Sequence, residues 1–242
     1  MPAARLVDDL GTPASAAEQM AADATMLADV AAGGPPILRL YTWARPALTV
    51  GRFQPERDVD ADACARHAIE MARRPSGGRA LLHGGDLTYA LALRRVLEPV
   101  TTTYRWIAGG LVAALRELGV DTAVAEHGGR AGPACFSACA GADLRVGERK
   151  VCGSAQVRRG HAILQHGSVL LRRLAVDESD LTRGVRRGAL RRATVTLEEL
   201  GATTQPIAVA AAFVQGFSTT LDLDFTSRAS LPAVEVGRSL RG

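Results

Sequence analysis

The stretch ADLRVGERKVCGSAQVRRGHAILQHGSVLL, Ala142 to Leu171, reads as three consecutive strands interrupted at Gly147-Glu148 and at Arg159-Gly160. Both interruptions have the composition of tight hairpin turns, and strands joined that closely run antiparallel. Lys150, at the head of the second strand, is the only lysine in a chain with 29 Lys and Arg. A compact ammonium enters a narrow site that a guanidinium fork fits poorly. Strict alternation from Lys150 puts Cys152 and Ser154 on its face and leaves Gly153 and Ala155 on the other, where their small size makes room for a chain-like substrate. In the third strand, Gln165-His166-Gly167-Ser168 breaks an apolar run. A glycine inside a strand marks a bulge or the close approach of another group.

Working outward, Ser15 to Ala32 has helical periodicity, and Gly33-Gly34-Pro35-Pro36 ends it. Ile37–Tyr41 and Ala47–Val50 read as short strands, Val59–His67 as a short helix, Ile69–Arg73 and Asp86–Leu93 as further strands. Thr101–Leu118 is the clearest helix, with Tyr104, Ile107, Leu111, Leu115 and Leu118 on one face and Gly119 past its end. Asp121–Ala125 reads as a strand, followed by a Gly-rich loop from Glu126 to Ala134. Beyond Leu171 the chain is expected to be helical and Arg-rich, with Ile207–Phe217 as a packing helix and a loose tail from about Ser227. Strands and helices without strict alternation predict an α+β fold, a mixed and largely antiparallel sheet flanked by helices. One domain over residues 1–242 is expected, with its core at about 17–172, a helical extension at about 173–226 and then the tail.

Composition removes several classes. Hydrophobic residues at 47% and charged residues at 22% are ordinary for a globular chain. No apolar run approaches the roughly 18 residues of a membrane span, and Asp8 and Asp9 stand where a secretory leader is basic then apolar. A cytoplasmic protein without membrane partners is expected. Cys64, Cys135, Cys139 and Cys152 contain no C-x-x-C pair and make no metal pattern, and no cofactor is expected. The net charge of +4 and the late arginines, Arg172, Arg173, Arg183, Arg186, Arg187, Arg191 and Arg192, suit an acidic partner or a solvated helix face. Without aromatics among them they do not suit nucleic acid.

Two further features carry chemistry. In Arg73-Arg74-Pro75-Ser76-Gly77-Gly78-Arg79, the glycines let backbone N–H groups approach an anion or oxyanion, and the arginines add positive potential; a plain turn is the competing reading. His83 follows. Cys135 lies in a loop fifteen residues before Lys150, with Cys139 as a rival. A thiol of pKa about 8.5 is only a few per cent ionised at pH 7, and each unit of depression is worth about 1.4 kcal/mol. One nearby ammonium therefore changes the thiolate fraction substantially.

Together, RRPSGGRALLH (73–83), DLTY (86–89), GERKVCGSAQ (147–156) and QHGS (165–168) resemble, in order and spacing, the biotin/lipoate protein ligase superfamily over roughly residues 17–172. The nearest resemblance is to its cysteine-dependent octanoyltransferases of the LipM type, because Cys135-Phe136 stands at their acyl-accepting cysteine and Lys150 at their motif lysine. That resemblance implies ping-pong transfer of an octanoyl group from acyl carrier protein, through a Cys135 thioester, to a lysine of a lipoyl-domain protein such as glycine cleavage H protein or an E2 subunit. It implies Cys135 and Lys150 as catalytic residues. Arg74, Ser76, Gly77, Gly78, Arg79, His83, Gly153, Ser154, Ala155, Gln156, His166 and Gly167 are the implied substrate-binding residues. Gly77-Gly78 or Gly153-Ser154 would donate to the oxyanion, and the aliphatic chain would lie over Leu82, Val151, Gly153 and Ala155. An ATP-dependent lipoate ligase and a non-catalytic acyl-binding protein are the alternatives. The sequence departs from the family at Gly84-Gly85, where relatives place an acidic residue directly after the histidine, and after Cys135-Phe136, where the usual aromatic is absent.

Overall fold

The computed structural model describes residues 1–94, 99–125 and 143–228. Its elements in chain order are β1 (Ala3–Asp9), α1 (Ala16–Ala31), β2 (Ile37–Tyr41), β3 (Ala47–Val50), α2 (Ala61–Arg66), β4 (Glu70–Arg73), β5 (Leu81–His83) and β6 (Asp86–Arg94). They continue as α3 (Val100–Glu117), β7 (Ala123–Val124), β8 (Leu144–Val146), β9 (Arg149–Arg159), β10 (Ala162–Leu170), α4 (Ala189–Ala193), α5 (Pro206–Leu221) and β11 (Asp224–Arg228). Ser15 starts α1 with a reciprocal capping box, its hydroxyl accepting from Glu18 N–H while the Glu18 carboxylate accepts from Ser15 N–H.

Among the described residues, eight strands form one sheet in the order β11-β1-β2-β6-β10-β9-β8-β7, and β4-β3-β5 form a smaller one. Pairing is antiparallel from β2 through β7, as the hairpin reading requires, and parallel where β1 meets β2 and β11. The mixed α+β architecture is thus as expected. One face of the large sheet packs on α3 and α5, where Leu87, Tyr89 and Leu91 meet Ile107, Leu111, Phe213 and Phe217. The opposite face packs on α1 through Met26, Val30, Ile37 and Ala90. The small sheet closes over α2 with a core of its own.

Three features differ from the sequence reading. Strand β1 was not predicted, because Leu6 and Val7 are its only large apolar residues and its partners lie at distant points of the chain. The tail expected from Ser227 begins inside β11. The extension was expected to be helical, yet from Arg172 to Leu200 it is mostly irregular, with α4 and two short 3-10 turns. It runs as a strap against the sheet: Val195 N–H donates to Lys150 C=O at 2.9 Å and Leu197 N–H to Leu170 C=O at 2.8 Å. Backbone pairing with distant strands overrides local helix propensity here.

Candidate active site

A cleft opens between β5, α1 and the β9–β10 pair. Met20, Tyr41, Trp43 and Leu81 form apolar walls, while Gly153, Ala155, His166 and Ser168 come from the sheet. Ala155 faces His166 and Gly153 faces Ser168 across the ladder, and both small residues line the cleft. The alternation predicted from Lys150 fails, however. The β8–β9 register slips near Leu144 and Arg145, and Val151 and Cys152 both join the helix-side core. Such a bulge breaks the period of two, so Lys150 no longer shares a face with Cys152 by simple counting. Val151 is therefore not part of the cleft wall. Leu82 is not either; it faces a second cleft across β5, and Leu81 lines this one.

Lys150 is 2% exposed, and its Nζ lies 2.8 Å from Asp143 Oδ2. Asp143 Oδ1 also accepts from Ser154 N–H at 3.2 Å, which engages one of the expected oxyanion donors. Charge burial of this kind is sustained only by pairing. Cys152 is fully buried, and burial followed by the nearby Asp143 charge pushes its thiol up to about 12, which makes it inert as a nucleophile. Cys135 and Cys139 lie outside the described residues.

Two histidine–aspartate couples flank the cleft. Ser76 Oγ is 2.5 Å from His166 Nε2, and His166 Nδ1 is 2.8 Å from Asp23 Oδ2. Asp23 also accepts from Arg39 at 3.1 Å and from Tyr41 OH at 3.2 Å. On the other side, His83 Nδ1 is 2.8 Å from Asp86 Oδ2, its Nε2 is 2.8 Å from Thr49 Oγ1, and its ring stacks on Trp43 at 4.1 Å. Against the cost of burial, His83, Ser168 and the Gly84 N–H hold the Asp86 carboxyl below its usual range.

Arg74 is spent on structure, donating to Thr49 C=O and Oγ1 and to the carbonyls of Gly77 and Arg79. This clamps the loop beside the cleft. Gly78 takes φ +93°, and a side chain at Gly51 would strike Gly78 O, so the two glycines let the loop lie against β3. Gly77 faces open space. Arg79 pairs with Asp58 at 3.3 Å, away from the cleft lining. A Cβ at Gly167 would meet Gly153 O at 2.2 Å, so close strand packing accounts for that glycine. Ser154 reaches the cleft but bonds Tyr89 OH at 2.8 Å. Gln156 turns to Gln165 and Thr103 and does not line the cleft.

The structure therefore brings together Arg74, His83, Gly153, Ser154, Ala155, His166 and Gly167, with Ser76 bonded behind them. Sequence reasoning missed Asp23, Arg39, Tyr41, Trp43 and Asp143, and it gave no site role to Asp86 and Ser168, although both fall inside the motifs DLTY (86–89) and QHGS (165–168). A signal was available for two of them: Asp23 falls on the buried stripe of α1 and Arg39 inside the fully buried strand ILRLY. A charge in such a position requires a partner. No helix among the described residues is long and apolar enough to cross a membrane.

The family described as lipoyl protein ligase A/B catalytic domain matches residues 15–218. An octanoyltransferase LipM of Carboxydothermus hydrogenoformans is 34% identical over 93% of this chain and 90% of its own length. One from Symbiobacterium thermophilum is 46% identical over 57% of this chain and 54% of its own length. Among solved structures, a T. acidophilum protein described as a lipoate protein ligase, with bound lipoic acid, superimposes with a TM-score of 0.81. It is 27% identical and covers 96% of this chain and 90% of its own.

Proposed function

Because the chain belongs to the lipoyl protein ligase A/B catalytic domain family, we propose that it is a cytoplasmic octanoyltransferase acting in protein lipoylation. It takes an octanoyl group from acyl carrier protein and delivers it to a lysine of a lipoyl-domain protein, glycine cleavage H protein or an E2 subunit. The observation that carries this reading is the 34% identity to an octanoyltransferase along nearly the whole chain. An apolar cleft whose Ser154 shares the Asp143 carboxylate with the buried ammonium of Lys150 supports it.

Cys135 is the nucleophile. Its thiolate attacks the thioester carbon; a new carbon–sulfur bond forms, the bond to the carrier's sulfur breaks, and that sulfur leaves as a thiol after taking a proton. The acceptor amine then attacks the acyl-enzyme, an amide forms, Cys135 leaves as thiolate, and the amine releases its proton. Lys150, held in one direction by Asp143, supplies positive charge where the carbonyl oxygen turns negative. The acyl chain lies over Gly153 and Ala155 against Leu81, Trp43 and Met20.

Incubation with octanoyl-carrier protein followed by intact mass measurement tests the proposal. An added octanoyl group is expected on the wild type and on Cys139→Ser, and none on Cys135→Ser; acylation that survives Cys135→Ser would refute the assignment. The likeness to a lipoate ligase structure supports a second reading, activation of a free acid by ATP. ATP–pyrophosphate exchange driven by octanoate or lipoate, and independent of Cys135, would decide for it.

A further inference from the structure

A second cleft lies across β5 from the first. Leu81 and His83 line the inner cleft and Leu82 the outer, as strand alternation requires; on β10, Ser168 lines the inner cleft and Leu170, further along the same face at the strand's end, the outer. The two are therefore neighbours, and Thr194 of the outer wall pairs with Lys150 in a parallel bridge.

The outer cleft differs in what it leaves unsatisfied. Glu178 Oε2 accepts from Leu82 N–H at 3.3 Å, whereas its Oε1 is buried and has no partner. Burial pushes this carboxyl up to about 8, against the opposing pull of the Leu82 N–H and of Arg74 and Lys150. Near neutrality it holds a proton and can donate a hydrogen bond, as a carboxylate cannot. Three arginines line the same cleft. Arg173 is bound to Glu199 and Thr194, and Arg191 to Asp177. Arg172 is exposed at the rim with no carboxylate partner among the described residues.

We propose that this outer cleft, through Glu178, Arg172 and the apolar wall of Leu82 and Leu170, binds the phosphorylated pantetheine arm of the acyl thioester. The chemistry matches end for end. The arm carries amides that a buried acid can bond, methyl groups that leucines can cover, and a phosphate that a guanidinium fork takes in bidentate fashion. Its sulfur joins it to the acyl chain, so two clefts on either side of one strand place the thioester where they meet. The proposal rests on the transferase reading for the identity of the acyl chain.

The test uses the intact protein and three donors: octanoyl-carrier protein, octanoyl-coenzyme A and octanoyl-N-acetylcysteamine, which lacks the phosphorylated end. Arg172→Glu is expected to raise KM about tenfold for the first two and to leave the truncated thioester within about twofold. An equal change for all three, or none, overturns the proposal. A change confined to the carrier protein also overturns it, and assigns Arg172 to contact with the protein surface. Direct titration with 4′-phosphopantetheine separates this inference from the transferase reading, since wild-type binding that weakens in Arg172→Glu and in Glu178→Leu supports the cleft even if no acyl transfer is seen. Absence of wild-type binding refutes it.

Discussion

The inner and outer clefts share a strand and differ in their polar accounts. In the inner one, the polar groups that flank the apolar walls are bonded to one another: His166 to Asp23 and Ser76, His83 to Asp86 and Thr49, Trp43 Nε1 to Thr88. In the outer one, a buried carboxyl oxygen and a rim guanidinium remain without protein partners among the described residues. A satisfied wall suits a ligand that brings no polar groups, since burial of apolar surface is then undiluted by desolvation. An unsatisfied wall is stable only at a cost, which a polar ligand removes. On the proposed function, that difference suits the acyl tail in the inner cleft and the polar arm in the outer.

The largest effect that could break the comparison is at Lys150, whose backbone bridges Thr194 of the outer wall and whose Asp143 partner bonds Ser154 of the inner one. Lys150→Met should reduce acyl transfer by at least about 100-fold. It should also destabilise the fold by about 3–5 kcal/mol, because the buried Asp143 carboxylate loses its ammonium. Adding Asp143→Asn should recover most of that stability and none of the activity, as read by denaturant titration alongside single-turnover rates. Recovery of both would reduce the pair to a structural one. Asp23→Asn comes next, on the inner side, since one carboxylate serves His166, Arg39 and Tyr41. A loss of about 3 kcal/mol is expected by urea unfolding.

Smaller effects separate the clefts by pH. Asp86 has a folded value below its unfolded one, so its stabilisation is full above about pH 4 and is lost as pH falls through the folded value. Asp86→Asn should flatten the acid limb of the stability profile. Glu178 has the opposite sign: its folded value near 8 exceeds the unfolded one of about 4.3, so stability falls as pH rises between them. Glu178→Gln should match the wild type at pH 4 and exceed it at pH 8, by on the order of 2 kcal/mol after allowance for partial exposure. Met20→Ala, at the apolar wall, should shift preference toward longer acyl donors by up to about tenfold in relative kcat/KM. An unchanged chain-length profile would remove Met20 from the tail's end wall.

Much of the inner cleft was legible because its signals are local. Small residues at Gly153 and Ala155 and a broken apolar run at His166 each announce themselves within a few positions. The partners were not legible, because Asp23 meets His166 across 143 residues. Nor does sequence show a one-residue slip between β8 and β9, which depends on how two strands settle against the core. The strap after Leu171 was misread for a related reason: its Arg-rich composition suits a helix, and backbone bonds to Lys150 and Leu170 hold it extended. Gln156 carries a motif position, yet its side chain serves the α3 side of the sheet.

A chain that forms reactive acyl esters of thiols and hands them to amines runs the hazard of labelling itself. Here the hazard is nearly closed off in the covalent structure: the sole lysine side chain is sealed at 2% exposure with its nitrogen against a carboxylate, while every other basic side chain of the Lys/Arg set is a guanidinium, a poor acceptor for acyl groups. Copies of this protein present one another with no side-chain amine at the surface to intercept the cargo.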